Sequence, residues 1–365
     1  MSTIVQSFLL PVQSADPKVM FGESEFTYVD ISAVDRSQRK IVTPQVLTPD
    51  AAPSRARQVL AAGDVIVSTV RPNLNTVALV PETLDGAIAS TGFCVLRPDQ
   101  ERLDKRFLFH WISSESTVRR LVQQATGATY PAVSDKVIKS QTFSPPRLAE
   151  QQRIANILDT ADSLRRKRQE AILLADQILL STFEQTFGSP ETNAKGLPTI
   201  SLGELVKLKS GNFLPSHEMA GTGGVLVYGG NGVNGEHDTA MFQETKLVIG
   251  RVGAYCGAVH LTKPNSWITD NALYASEISP LVRLEYLAFA LRQASLNQYS
   301  SQSGQPLVSA SRLYPVMLVL PPLHLQDSFL EINHCIKRIQ SSQSKSLDSM
   351  VEMSRSLAAE LLVQG

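Results

Sequence analysis

From Pro145-Pro146 to Phe187 the chain runs without a glycine or a further proline, and it then meets Gly188-Ser189-Pro190. Proline is tolerated in the first turn of a helix and a Gly/Pro cluster ends one, so the stretch predicts a single uninterrupted helix. Ile154, Ile157, Ala161, Leu164, Ala171, Ala175 and Ile178 recur at steps of three and four, with Leu158, Ile172, Leu179 and Phe183 beside them. That is one apolar stripe with a second apolar shoulder. At about 1.5 Å per residue the helix would be roughly 60 Å long, and such a helix needs a packing partner along its length.

The partner is the end of the chain. After Pro321-Pro322 no proline or glycine interrupts the sequence until Gly365, and Phe329, Ile332, Ile336, Ile339, Met350, Met353 and Leu357 fall at heptad steps. Gln343 and Ser346 break this second stripe, as Arg168 breaks the first. Two long helices, each led by a proline pair and each preceded by a mixed segment, predict an internal repeat of about 176 residues and an antiparallel coiled-coil pair. The simpler alternative, that each helix packs on its own domain, stays open. Ile157, Leu158, Leu164, Ile172, Leu179, Phe183, Phe329, Ile336, Met350 and Leu357 are the helix positions expected to receive partner proteins.

Laid side by side, the two halves repeat. DVIVSTVR matches KLVIGRVG, AIASTGFCVL takes the place of ITDNALYASE, TGATYPAVS matches QSGQPLVSA, and each half closes on a strand leading to a proline pair. The expected fold class is α+β: two pseudo-twofold-related mixed α/β domains separated by two long antiparallel coiled-coil helices. The expected boundaries are a first domain over 1–146, a long helix over 147–190, a second domain over 191–322 and a final helix over 323–365. Within the first domain, alternation predicts strands in FTYVDISAVD and KIVTPQVLT, a small turn or helix ending at Gly63-Asp64, and strands over Val65–Val70 and Ala87–Leu96. Arg106–Gln124 reads as one amphipathic helix and Val137–Phe143 as a strand. In the second, Asn231-Gly232 and Asn234-Gly235 read as two tight hairpin turns or a ligand-facing loop, and WITDNALYASEI as one strand. A pseudo-twofold chain suits a nearly twofold ligand, of which duplex DNA is the commonest for diverged recognition modules.

Composition narrows the function by exclusion. The chain carries 34 Lys plus Arg against 34 Asp plus Glu, so net charge gives no signature of nucleic-acid binding, although local basic surfaces remain open to it. Its three cysteines, Cys94, Cys256 and Cys335, have neither metal nor redox spacing and fit a reducing compartment. Without a basic leader or a membrane-length apolar run, a cytoplasmic protein with no membrane contact is expected. The six histidines form no zinc spacing, and neither a G-x-S-x-G elbow nor a phosphate loop occurs. Ser144-Pro145-Pro146-Arg147 lacks both the amide or acid and the aromatic of the adenine-methyltransferase tetrapeptide. No catalytic residue is assigned.

The informative polar residues sit in turns. Arg71, Asn73, Asn75, Thr129 and Tyr130 in the first domain, and Asn231, Asn234, Arg251, Tyr255, Gln302, Ser303 and Gln305 in the second, are candidate DNA contacts. Arginine reads guanine, and asparagine or glutamine reads adenine, through paired hydrogen bonds in the major groove. The basic run Arg165, Arg166, Lys167 and Arg168 is by default a solvated helix face, with phosphate contact as the alternative.

AEQQRIANILDTADSLRRKRQEAI after its proline pair resembles the central conserved region of the specificity subunits of type I restriction-modification systems. YGGNGVNG followed by LVIGRVGAYCGAVHLTKPNSWITDNAL, and STVRPNLNTVAL with GATYPAVS, resemble their target-recognition domains. The resemblance implies a non-catalytic subunit. Each domain would read one half of an interrupted double-stranded DNA target, and the helices would set the separation of the halves and receive two methyltransferase (modification) subunits. It implies S-adenosylmethionine for those subunits, which methylate adenine N6, ATP and Mg²⁺ for translocating restriction subunits, and no cofactor in this chain. A coiled-coil scaffold without DNA recognition is the alternative.

Overall fold

The glycine-free stretches form two helices, Leu148–Phe187 of 40 residues and Leu323–Val363 of 41, in a computed structural model that describes residues 3–219, 223–301 and 305–363. The chain divides into two compact units, Met1–Ala171 with Gln343–Gly365, and Ile172–Ser342. Each unit therefore contains one end of each long helix.

The first unit is built on Val65–Ser68, a fully buried strand paired antiparallel with Phe93–Pro98 and Val77–Leu79. Its side chains alternate between two cores: Val65 and Val67 face the helices, and Ile66 faces a second sheet. That second sheet runs in the order Gln45–Leu47, Phe26–Val29, Ile88–Ser90, Ala56–Val59, with its two middle strands parallel. Lys105–Ile112 and Glu115–Gln123 cover the first sheet as two helices rather than the single one expected over Arg106–Gln124. Ser114 divides them: its hydroxyl accepts the Thr117 N–H and caps the second helix, a side-chain bond that competes with continued helix. Ser134 does the same for Asp135–Lys139, where a strand was expected; only Thr142–Phe143 of that segment is extended. The turn expected to end at Gly63-Asp64 forms, the Asp64 N–H donating to Ala61 O at 3.0 Å, but the residues leading into it are the strand Ala56–Val59 and not a helix.

The second unit repeats the plan. Leu247–Gly250 is its fully buried strand, antiparallel to Val259–Leu261 and Ala272–Ile278, with Leu247 and Ile249 in the main core and Val248 in a smaller one. Val225–Gly229 pairs parallel with Ser266–Ile268, as Phe26–Val29 pairs with Ile88–Ser90. The segment expected as one strand from Trp267 is thus two, Ser266–Ile268 and Ala272–Ile278, in different sheets. Only one hairpin forms among the described residues of the glycine-rich stretch: Gly230-Asn231 is its loop, Gly232 opens the return strand, and Asn234-Gly235 lies inside the strand Gly232–His237 next to a register shift. Thr3–Ile4 pairs with Thr142–Phe143 as Thr199–Ser201 pairs with Met317–Val319, although the two openings share no phrase.

Within each unit the long helices run antiparallel and pack on the domain as well as on one another. In the first unit, Ile154, Ala155 and Leu158 share a core with Leu362 and the half-buried Leu357 and Leu361. The polar interruptions of the two stripes meet there, the Arg168 guanidinium donating to the Ser346 hydroxyl. In the second, Leu179, Phe183 and Phe187 join Phe329 and Leu330, and the Gln340 amide donates to Asp176 at 2.8 Å.

A buried glutamine fixes each helix to its domain in the same way. Gln151 Oε1 accepts the Asp104 N–H at 2.8 Å, and its Nε2 donates to the carbonyls of Arg102 at 3.0 Å and Pro146 at 2.9 Å. Gln326 repeats the pattern with the Arg283 N–H at 2.8 Å and the carbonyls of Leu281 at 3.0 Å and Pro321 at 2.8 Å. One primary amide thus satisfies a helix-start N–H and two carbonyls that the proline turns leave unpaired.

The first unit adds an ionic tie. His110 Nε2 lies 2.7 Å from Asp159 Oδ1, and Arg106 Nη1 donates to Asp159 at 3.2 Å. Burial raises the Asp159 pKa, but His110 and Arg106 outweigh it and hold the carboxyl below its ordinary value. A depressed carboxylate contributes stability that is present above the unfolded pKa and lost as pH falls through the folded one. Asp159→Asn is therefore expected to flatten the acid limb of unfolding of this unit below about pH 4, as followed by circular dichroism against pH. An unchanged acid limb would show that the tie contributes nothing.

Candidate nucleic-acid interface

Each central strand runs into a loop held by the same three contacts. In the first unit Val70 bridges Ala132, the Arg71 N–H donates to Pro131 O at 2.7 Å, and the Val133 N–H donates to Thr69 O at 2.8 Å. In the second, Val252 bridges Leu307, the Gly253 N–H donates to Pro306 O at 3.0 Å, and the Val308 N–H donates to Arg251 O at 2.9 Å. Arg71 therefore corresponds to Gly253, Asn73 to Tyr255, Asn75 to Gly257 and Tyr130 to Gln305. The repeat seen in sequence is a repeat of backbone geometry.

The side chains on these loops differ. In the first unit Arg71, Asn73 and Thr129 are exposed, and the Arg71 guanidinium lies 5.0 Å over the ring of Tyr130, itself 66% exposed. Asn75 is turned inward, its Nδ2 donating to Ser113 O at 2.8 Å, so it braces the loop instead of facing solvent. In the second unit Tyr255 is half-exposed, while Arg251 Nη1 donates to Ser210 Oγ at 3.2 Å and Asp270 O at 3.5 Å. Asn231 and Asn234 are exposed on the hairpin, whose Gly230 sits so close to Gly250 that a Cβ would lie 3.5 Å from the Gly250 Cα. The hairpin tip thus joins the Arg251 loop on one side, and exposed Gln305 adds to it: a Cβ on Gly253 would lie 3.4 Å from its Nε2. Gln302 and Ser303 lie outside the described residues.

Two features escaped the sequence reading. Phe213 is 72% exposed, in the turn whose Asn212 carbonyl accepts the Trp267 Nε1–H at 3.3 Å; the Gly-Asn-Phe-Leu-Pro punctuation was its one signal. Arg39 joins Arg165 and Arg166 around the single carboxylate of Asp162. Burial depresses the Arg39 pKa; Asp162 counters this, and the like charges of Arg165 and Arg166 add to it. The basic run is thus partly committed to the fold, with Arg165 donating to Ser37 O at 3.3 Å. Among the described residues no group of three or more His, Cys, Asp or Glu could hold a metal ion, and no helix is long and apolar enough to cross a membrane.

The loop of the first unit lies inside residues 46–174, which match the family described as the type I restriction modification DNA specificity domain. The matched residues, about a third of the chain, are similar to that domain family. It is 27% identical over 167 residues to the type I restriction enzyme EcoprrI specificity subunit of Escherichia coli, over 42% of this chain and 41% of that relative. It is 24% identical over 137 residues to the HindI specificity subunit of Haemophilus influenzae, over 37% and 30% of the two chains. The matched stretches therefore span less than half of either relative. Two solved structures share the fold over 99% of the chain: one from a study of complex assembly and conformational transition of the type I R-M system, at TM-score 0.65, 24% identity and 97% coverage of that chain, and the S subunit from M. genitalium, at TM-score 0.65, 17% identity and 96% coverage. Two similarly built α/β domains linked by long helices are thus the architecture of this chain.

The helix surfaces expected to meet partners need correction. Leu158, Leu179, Phe183 and Phe329 are buried in the chain's own cores, because the domains cover the apolar shoulder. Ile157, Ile172, Ile336, Met350 and Leu357 are half-buried, and Leu164 is exposed. On the long helices of the second unit, large apolar side chains facing water include Leu173, Leu174, Ile178 and Leu180, beyond Ala171, and Ile332 and Ile339 on the other helix.

Proposed function

We propose that this chain is the non-catalytic DNA-reading subunit of a type I restriction-modification complex. Residues 1–146 read one half of an interrupted duplex target and residues 191–322 the other, and the helices over 147–190 and 323–365 set their separation. One observation carries the reading: two loops with one backbone geometry present different surface groups, Arg71, Asn73 and Tyr130 in one against Tyr255 and Gln305 beside the bare Gly253 in the other. A scaffold has no use for a repeated frame that presents different hydrogen-bonding side chains at the surface.

Leu173, Leu174, Ile178 and Leu180 support docking of modification subunits, which carry S-adenosylmethionine; restriction subunits bring ATP and Mg²⁺. Replacing Leu173 and Leu174 together by serine is expected to leave the melting temperature within about 2 °C, since exposed positions change stability little. The same double variant should weaken capture of a modification subunit at least tenfold, equivalent to about 1.4 kcal/mol of binding free energy. Duplex binding by the assembled complex, measured by fluorescence anisotropy, should fall linearly in log–log against salt. Absence of duplex binding by a complex that assembles normally would leave the scaffold reading standing.

A further inference from the structure

Arg71 occupies a backbone position that favours glycine. Its φ is +50°, the counterpart Gly253 has φ +75°, and L side chains in this left-handed region bear a steric cost that glycine escapes. Asn75 is the second such position in the loop, at φ +49° against +84° for its counterpart Gly257. The two non-glycines differ in what their side chains do. Asparagine tolerates this conformation well, and the Asn75 amide bonds the Ser113 carbonyl inside the fold. Gly257 needs no such brace, because the backbone itself closes in: a Cβ there would lie 2.5 Å from the Asn297 nitrogen. Among the described residues the Arg71 side chain is hydrogen-bonded to no group of its own unit, and it lies over the exposed ring of Tyr130. A strained arginine that braces nothing points to a role outside the fold.

We propose that Arg71, held over Tyr130, is a base-reading residue of the first unit and takes a guanine in the major groove. This deepens the DNA-reading function above and rests on it. A guanidinium held over an aromatic ring spends no N–H on a hydrogen bond there, so its donors stay available to guanine O6 and N7 as a bidentate pair. Tyr130 limits the rotamers of the arginine before binding, so the complex forms at a smaller cost in conformational freedom. The second unit has glycine and Gln305 at the corresponding places and cannot make this contact. The two halves of the target therefore differ, and guanine selected through Arg71 belongs to one half only.

The test is selection of bound duplexes from a randomised library by the full chain assembled with its modification subunit, for the parent and for Arg71→Gly and Arg71→Lys, with thermal melting of each. The parent is expected to enrich an interrupted motif. Arg71→Gly should keep the melting temperature or raise it by about 1–3 °C. The same variant should relax a guanine preference by roughly tenfold or more at one position of one half, leaving the other half unchanged. Arg71→Lys, which keeps the charge and loses the fork, should relax the same position. A motif unchanged in Arg71→Gly, a loss of affinity without a change of base preference, or a melting temperature several degrees lower would overturn the proposal while leaving the DNA-reading function intact. No motif from the parent would overturn both.

Discussion

Leucine in place of Gln151 is expected to destabilise the first unit by about 3 kcal/mol, because the substitution keeps the volume and strips the partners from one buried N–H and two buried carbonyls. Gln151 is 1% exposed, so water cannot replace the amide. For a unit of this size the loss corresponds to a drop of roughly 6–12 °C in melting temperature. Gln151→Glu should be worse: it keeps one acceptor, removes the amide donors and sets a carboxylate against the carbonyls of Arg102 and Pro146. Hydrogen exchange reports the site directly. The Asp104 amide should lose its protection in Gln151→Leu, and Gln326→Leu should expose the Arg283 amide of the second unit. If both variants melt like the parent, the glutamines do not fix the helices to their domains.

Phe183→Ala is expected to cost the second unit about 3–5 kcal/mol. Phe183 is 6% exposed, and its ring lies 4.9 Å from Phe289, 5.1 Å from Phe187, 5.4 Å from Phe329 and 5.8 Å from Tyr286. Removing it opens a cavity where both long helices meet Leu284–Gln293. Leu174→Ala, a few residues earlier on the same helix but 49% exposed, should change stability by less than about 0.5 kcal/mol. Equal effects of the two substitutions in denaturant titrations would contradict the assignment of buried and open helix faces.

That contrast marks how far the sequence could be read. Both long helices were legible to within about three residues because an absence of proline and glycine over so long a stretch admits little else, and Arg168 and Ser346, the breaks in the two stripes, meet in the fold. Which apolar side chains stay open was not legible. Periodicity gives a stripe its direction but not its cover, and the domains bury Leu158, Leu179 and Phe183 while leaving Leu173 and Ile178 in water. The misread helix boundaries at Ser114 and Ser134 come from caps that compete with continued structure over two or three residues, a local choice that hydrophobic pattern does not register.

The candidate site was legible as loops and not as side-chain roles. Aligning DVIVSTVR with KLVIGRVG sets Arg71 opposite Gly253, and the shared bridges and hydrogen bonds bear that register out. Nothing in Arg-Pro-Asn announces a left-handed arginine, and nothing in Asn75 told that it faces inward to Ser113 while Asn73 faces out. Those distinctions depend on contacts made far along the chain.

The most direct test of the DNA-reading function is methylome mapping of a methylation-free host that expresses this chain with a modification subunit, beside the same host expressing the modification subunit alone. The account predicts N6-methyladenine at a single interrupted motif, present only when this chain is present, with each half of the motif tracking one unit. A genome left unmarked by this pair, while another specificity subunit activates the same modification subunit, would contradict it.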